Sequence, residues 1–300
     1  MSPLATALTT LSLAQIRKVL ASHPKAAQLV ELAKTIRNYA RRDCGAEFVT
    51  LHTTDFADLA GVSTVHALHV ASGLTPAEIT ATELAAVGIN MNLAPVVDVA
   101  PEGIDSIMAG RAFGSDPHAV ARLGGTGIDG LQSRRIMAVA KHFPGIGRTT
   151  LDSHRDRPVL DADLAALEAF DLVPFRAAVD REVAGIMLAH ILYTRLDPKW
   201  PASLSPRIAR DLLRKRLGFK GIVMTDDLEM GAIERHYGFD VAVRQVLKAD
   251  IDVVLICRSR EKLEHAFALM VGKIGKSETL RRRAETSAGR IMALKTHYLG

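Results

Sequence analysis

GFKGIVMTDDLEMGAI (residues 218–233) contains a short apolar run, Gly221–Met224, that stops on Thr225, Asp226 and Asp227 before a helical pattern resumes. Two adjacent carboxylates at the end of a buried strand are costly unless they are exposed, paired or in use. The run therefore reads as a strand that delivers charge to a site. One carboxylate could cap the following helix while the other reacts.

The same pattern recurs on both sides. Short, nearly continuous apolar runs predict strands over Glu47–Leu51, Ile89–Asp98, Met137–Pro144, Gly185–His190, Gly221–Asp227 and Asp252–Cys257. Helical periodicity lies between them: part of Thr64–Val87, then Pro117–Arg134, Leu160–Val183, Pro206–Leu217, Ala242–Ala249, Lys262–Ile274 and Glu278–Tyr298. Strands alternating with helices, each strand apolar on both faces, predict an α/β fold with a parallel sheet. Several strands end in reactive side chains: Asp98, Lys141 with His142, His190, and Asp226 with Asp227. A TIM-like (β/α) barrel gathers its site from such strand ends, so it is the leading architecture. Fewer strands are recognisable than closure needs, since the first 45 residues read as helix. The barrel is expected to be incomplete or irregular at its N-terminus. An open doubly wound sheet is the alternative. No linker, repeat or biased segment divides the chain, which predicts one domain over residues 1–300.

With 300 residues, 48% of them hydrophobic, the chain can bury a sizeable core. The net charge of +5 comes from scattered or helix-borne Lys and Arg with few aromatics among them, which argues against nucleic acid. No apolar run reaches about 18 residues and no signal-peptide pattern opens the chain, so no membrane association and a cytoplasmic location are expected. Cys44 and Cys257 lie far apart without a metal or redox spacing, and read as buried thiols. The sequence does not indicate an oligomeric state.

AKHFPGIGRTTLDSHRDRP (residues 140–158) adds a second cluster. A Lys-His pair closes a strand, Pro-Gly-x-Gly turns the backbone into a loop, and Asp152 stands two residues before His154. A carboxylate so placed orients one ring nitrogen and leaves the other to exchange a proton, an acid/base dyad. A polar surface turn would look much the same.

Taken in order, the motifs resemble one family. Lys141-His142-Phe143-Pro144-Gly145-x-Gly147 with Asp152-Ser153-His154, and Thr225-Asp226-Asp227-Leu228-x-Met230, are similar to the two hallmark motifs of bacterial glycoside hydrolase family 3 β-N-acetylglucosaminidases of the peptidoglycan-recycling type. Further matches are Ala94–Asp98, Arg111–Pro117, Met187–His190 and Pro201–Ser205, so the likeness covers about residues 80–260. The resemblance implies retaining hydrolysis of terminal β-linked N-acetylglucosamine through a covalent glycosyl-Asp intermediate. It makes Asp226 the nucleophile and His154, polarised by Asp152, the acid/base. It places Arg111, Lys141, His142 and His190 among the groups that hold the sugar. No metal or organic cofactor is implied, and the expected partner is a small N-acetylglucosamine-containing oligosaccharide or muropeptide. A histidine acid/base leaves phosphorolysis open as an alternative, because it does not repel incoming phosphate. A sugar-binding scaffold with impaired turnover is the other.

The chain departs from the family pattern in two informative places. An Asp-Gln-Glu-Gly-Gly sugar clamp is expected after the second strand, where His52–Gly61 stands instead. Asp250 occupies a position where Lys-Ala-Gly-x-Asp is usual.

Overall fold

A computed structural model of the chain describes residues 50–51 and 75–300. These fall into two compact units, one holding residues 75–94 and 126–139 with residues 50–51, the other residues 95–125 and 140–298.

In the first unit, helix α1 (Pro76–Ala86) starts with a reciprocal cap. Thr75 Oγ1 accepts from the Glu78 N–H at 3.3 Å, and Glu78 accepts from the Thr75 N–H at 2.8 Å. Strands β1 (Thr50–Leu51) and β2 (Met91–Asn92) pair in parallel, and β2 pairs in parallel with the start of β3 (Met137–Phe143). Only two residues of the predicted strand 89–98 join a continuous ladder. Pro95 lacks an N–H, and beyond it a single bridge links Val96 to Lys141. Helix α2 (Pro117–Gln132) follows the predicted span, with Arg135 left-handed just past its end at φ 61°.

In the second unit β3, buried along its whole length, neighbours β5 (Gly185–Leu188), which pairs in parallel with β7 (Ile222–Asp227) and through it with β8 (Val253–Leu255). In both units the spatial order of the strands follows their order in the chain. A doubly wound sheet would reverse direction at a switch point, and none occurs among the described residues. The side pair of β4 (Val159–Leu160) and β6 (Leu192–Tyr193) is new relative to the sequence pattern. Runs of two residues are too short to show a period.

The predicted helix over Leu160–Val183 is two: α3 (Leu164–Ala169), capped by Asp163, and α4 (Leu172–Asp180). The break falls at Asp171, whose side chain turns inward to Arg148. Arg207–Arg216 runs as a wide π-helix that ends with the Leu217 N–H on the Leu212 carbonyl, 3.0 Å. Helix α5 (Gly231–Tyr237) is the helix that follows the paired carboxylates, for which the sequence pattern set no bounds. It is followed by α6 (Phe239–Ala249), α7 (Arg260–Gly275) and α8 (Glu278–Leu299), the last two within a residue or two of expectation.

Asp250 caps α6 in the left-handed region at φ 63°, which explains why glycine is usual there. Its carboxylate faces Arg290 at 3.5 Å and Arg214 at 3.8 Å. Cys257 is exposed, contrary to the expected buried thiol, because β8 stops at Leu255 and the chain emerges at the rim of the sheet. Cys44, the first predicted strand apart from residues 50–51, and the clamp segment 52–61 lie outside the described residues.

Candidate active site

The reactive side chains named from the sequence cluster at the C-terminal ends of β3, β5 and β7 and in the loops beyond them. The β7–β8 register shifts between Met224 and Asp227, the stretch that carries Asp226. Irregularities of this kind re-aim side chains at the rim of a sheet.

Asp226 and Asp227 diverge in role. Asp226 Oδ1 accepts the Asp227 N–H at 2.8 Å. Burial acts to raise the Asp226 pKa, but the charges of His190, His142 and Lys141 and that N–H outweigh it, and the carboxyl lies below its ordinary value. Asp227 Oδ1 accepts the N–H groups of Glu229 at 3.0 Å and Cys257 at 3.3 Å, which ties the strand end to the next loop. Burial pushes the Asp227 carboxyl up. One carboxylate is thus held ionised and the other is a structural brace. Buried Glu229, unremarked in the sequence, accepts the N–H groups of Arg258 and Ser259 at 2.6 and 3.1 Å and completes the brace.

His190 is buried, with both ring nitrogens in use. Nε2 lies 2.8 Å from the Asp227 carbonyl and Nδ1 2.6 Å from Ser203 Oγ. A carbonyl only accepts, so Nε2 carries the hydrogen and Nδ1 accepts from the serine. Burial lowers its pKa and favours the neutral ring. Lys141, buried at the end of β3, adds its charge to the groups that lower the Asp226 pKa.

His142 is oriented by a residue not assigned to the site from sequence. Asp98, fully buried, accepts from His142 Nδ1 at 2.7 Å, from the His142 backbone N–H at 3.2 Å and from the Ile146 N–H at 2.9 Å. This leaves Nε2 as the free ring nitrogen. A carboxylate closing an apolar run, Ala94–Asp98, was the signal in the sequence.

The loop after β3 is pinned at each step. The Gly145 carbonyl accepts from the Tyr193 hydroxyl at 2.7 Å, and Arg148 pairs with fully buried Asp171. A Cβ on Gly147 would lie 1.8 Å from the Val99 carbonyl oxygen, so no side chain fits there. The Thr149 carbonyl accepts the Ile107 N–H at 3.1 Å, which anchors the segment leading to Arg111. Arg111 Nε is buried without a hydrogen-bond partner among the described residues, while its Nη1 reaches the Met108 sulfur at 3.9 Å.

His154 and Asp152 form the dyad expected from their spacing. Nδ1 lies 2.7 Å from Asp152 Oδ1, which also accepts the His154 backbone N–H at 2.9 Å. Those bonds and the His154 charge outweigh burial, the largest single influence, and hold Asp152 below its ordinary pKa. The His154 side chain is 66% exposed, open to a ligand. Its loop is fastened to the start of α5: Gly231 N–H donates to the His154 carbonyl at 3.2 Å and Ala232 N–H to the Ser153 carbonyl at 3.1 Å. Gly231 stands five residues after Asp226, so the dyad and the ionised carboxylate are referenced to one stretch of chain. No group of side chains suited to a metal occurs among the described residues. A cavity of about 670 Å³ lined by Val183, Ala184 and Gly221 lies at the N-terminal ends of β5 and β7, away from these groups.

Fold and site together define the class: an α/β protein of the TIM-like (β/α) barrel type, with a carboxylate at a strand end and a carboxylate–histidine dyad on a loop beyond one. Residues 60–294 match the glycosyl hydrolase family 3 N-terminal domain, and the chain belongs to that family. Similar proteins include a beta-hexosaminidase of Thioalkalivibrio sulfidiphilus, 41% identical over 61% of this chain and 52% of its own length. Another, from Nitrosomonas eutropha, is 34% identical over 68% and 58%. Among solved structures, a family 3 beta-N-acetylglucosaminidase from Paenibacillus sp. FPU-7 superposes with TM-score 0.71 at 37% identity, covering 75% of this chain and 43% of that one. A beta-N-acetylhexosaminidase from Beutenbergia cavernae gives 0.69 at 31%, covering 73% and 67%. The chain thus spans little more than half the length of these curated relatives.

Proposed function

We propose that this protein hydrolyses terminal β-linked N-acetylglucosamine from small oligosaccharides or muropeptides, with retention of configuration. The observation that carries the proposal is geometric: Asp226 stands at the end of β7 with its Oδ1 on the Asp227 N–H, and the loop of the His154–Asp152 pair is bonded to the start of α5 five residues on, while nearby charges hold the Asp226 carboxyl below its ordinary pKa. A nucleophile of this kind must be a carboxylate when the sugar arrives. Asp226 attacks the anomeric carbon and the glycosidic C–O bond breaks as His154 Nε2 gives its proton to the departing oxygen. Water then attacks the anomeric carbon of the glycosyl-Asp intermediate, its proton passing to His154 as the bond from that carbon to Asp226 breaks and frees the carboxylate. Asp152, on Nδ1, keeps the ring aligned through both transfers.

Lys141, His142 and Arg111 supply the sugar's hydroxyls with donors, charge-assisted from Lys141 and Arg111. His190 has no ring nitrogen left for substrate, and its part is to hold the end of β7. The beta-hexosaminidase and β-N-acetylglucosaminidase names of the relatives support the sugar assignment.

Replacing Asp226 with Ala should lower release of 4-nitrophenol from its N-acetyl-β-glucosaminide by about a thousandfold or more. His154→Ala should lose activity that added azide restores as the glycosyl azide, since azide needs no general base. Undiminished turnover by the Asp226 variant would overturn the assignment.

A further inference from the structure

The loop that carries His154 is strapped to α5 along the whole length of that helix. Its beginning is held by the Gly231 and Ala232 N–H groups, and its end by side chains from the last turn of α5. His236 Nε2 lies 2.5 Å from Asp156 Oδ1, and Arg157 donates to the Tyr237 hydroxyl at 2.6 Å with its guanidinium 5.5 Å from the Tyr237 ring centre. Arg157 Nε is buried without a hydrogen-bond partner among the described residues. Tyr237 in turn stacks on Trp200, with ring centres 5.6 Å apart and planes tilted by 31°.

Trp200 stands on a rigid turn. Buried Asp197 accepts the N–H groups of Lys199 and Trp200 at 3.1 and 3.2 Å and the Ser205 hydroxyl at 2.6 Å. Three residues beyond the indole, Ser203 holds His190, which grips the Asp227 carbonyl. The aromatic pair is therefore fixed both to the dyad loop and to the strand of Asp226. Trp200 is partly exposed, and the ammonium of exposed Lys199 lies 5.2 Å from the indole centre.

Resting on the assignment of Asp226 and His154 above, we propose that Trp200 and Tyr237, with Arg157 beside them, form the subsite that receives the leaving-group sugar. The general acid must face the glycosidic oxygen, so the departing group lies on the His154 side. From His154 the chain runs three residues to Arg157 and the aromatic pair. A pyranose presents a face of C–H bonds and a rim of hydroxyls. Rigid aromatic rings take the first, and a planar cation beside them takes the second.

Trp200 is the only tryptophan of the chain, so intrinsic fluorescence reports on this subsite alone. Titrating chitobiose into the Asp226→Asn protein should shift its emission saturably, whereas N-acetylglucosamine, which fills only the reacting position, should not. In the active protein Trp200→Ala should lower kcat/KM for chitobiose about tenfold more than for the methyl N-acetyl-β-glucosaminide, and Trp200→Phe should restore most of that ratio. Equal losses on both substrates, or chitobiose bound by calorimetry with unchanged emission, would overturn the proposal. Should the wild-type protein cleave neither substrate, the assignment of Asp226 fails on its own. The fluorescence titration then still decides the subsite, a saturable chitobiose response supporting it and no response overturning it.

Discussion

Single side chains decide the chemistry, and they differ in how visible they were. Asp226, Lys141 and His142 stood out because they interrupt apolar runs with charge that a buried strand does not otherwise tolerate, and Asp152 and His154 because of their spacing in the loop after β3. Asp98 was half legible: its place at the end of an apolar run stood out, but its service to His142 spans 44 positions and depends on the parallel pairing of two strands. The division of labour between Asp226 and Asp227 could not be read from adjacency, because it rests on which carboxylate the Glu229 and Cys257 N–H groups reach. Gly147 is the least replaceable residue of the loop after β3. Its hydrogen faces the Val99 carbonyl where a methyl would sit 1.8 Å away, so Gly147→Ala should cost upwards of about 3 kcal/mol. Denaturant unfolding would measure it, and a loss under about 1 kcal/mol would show that Val99 yields.

Helices α7 and α8 were predicted closely because Ser259 and Ser277 cap them locally. The break between α3 and α4 was missed for the opposite reason: Asp171 interrupts the helix to reach Arg148, a partner 23 residues away. Burial pushes the Asp171 carboxyl up to about 6, against the pull of Arg148. A folded pKa above the unfolded one adds stability at low pH that disappears as pH rises through the folded value. Between about pH 4 and 6.5 the wild-type protein should lose on the order of 3 kcal/mol from this group, and Asp171→Asn should lack that slope. Thermal melts of both proteins across this range test it. A difference that stays constant or grows with pH would refute the proposed burden of burial.

For the molecule as a whole, strand order is what separates a barrel type from a doubly wound sheet, and no local pattern encodes it. The alternation of strands and helices was readable, but the absence of a reversal emerges only from pairing. Far from the site, Asp252 joins several elements. Fully buried, it accepts from Arg214, Arg290 at 2.8 Å, Ser287 at 2.7 Å and the Val223 N–H at 2.8 Å, linking the π-helix, β7, β8 and α8. Asp252→Ala leaves Arg214 and Arg290 only the more distant Asp250, at 3.8 and 3.5 Å, as a shared anion and should cost about 3 kcal/mol in urea unfolding. It should do so with little change in KM for whatever protein remains folded, since Asp252 lies at the end of the sheet remote from Asp226. A large KM change at full stability would contradict that separation.

The bonds from Gly231 and Ala232 to the His154 and Ser153 carbonyls run from backbone to backbone, so they do not depend on which side chains the loop carries. Thr150, Leu151, Ser153 and Arg155 can therefore change without altering the spacing between the His154 dyad and Asp226. Inserting or deleting one residue between Asp226 and Gly231 would instead move both partners at once. Away from Asp152, His154 and the contacts of Asp156 and Arg157 with α5, this stretch tolerates a change of spelling better than a change of length.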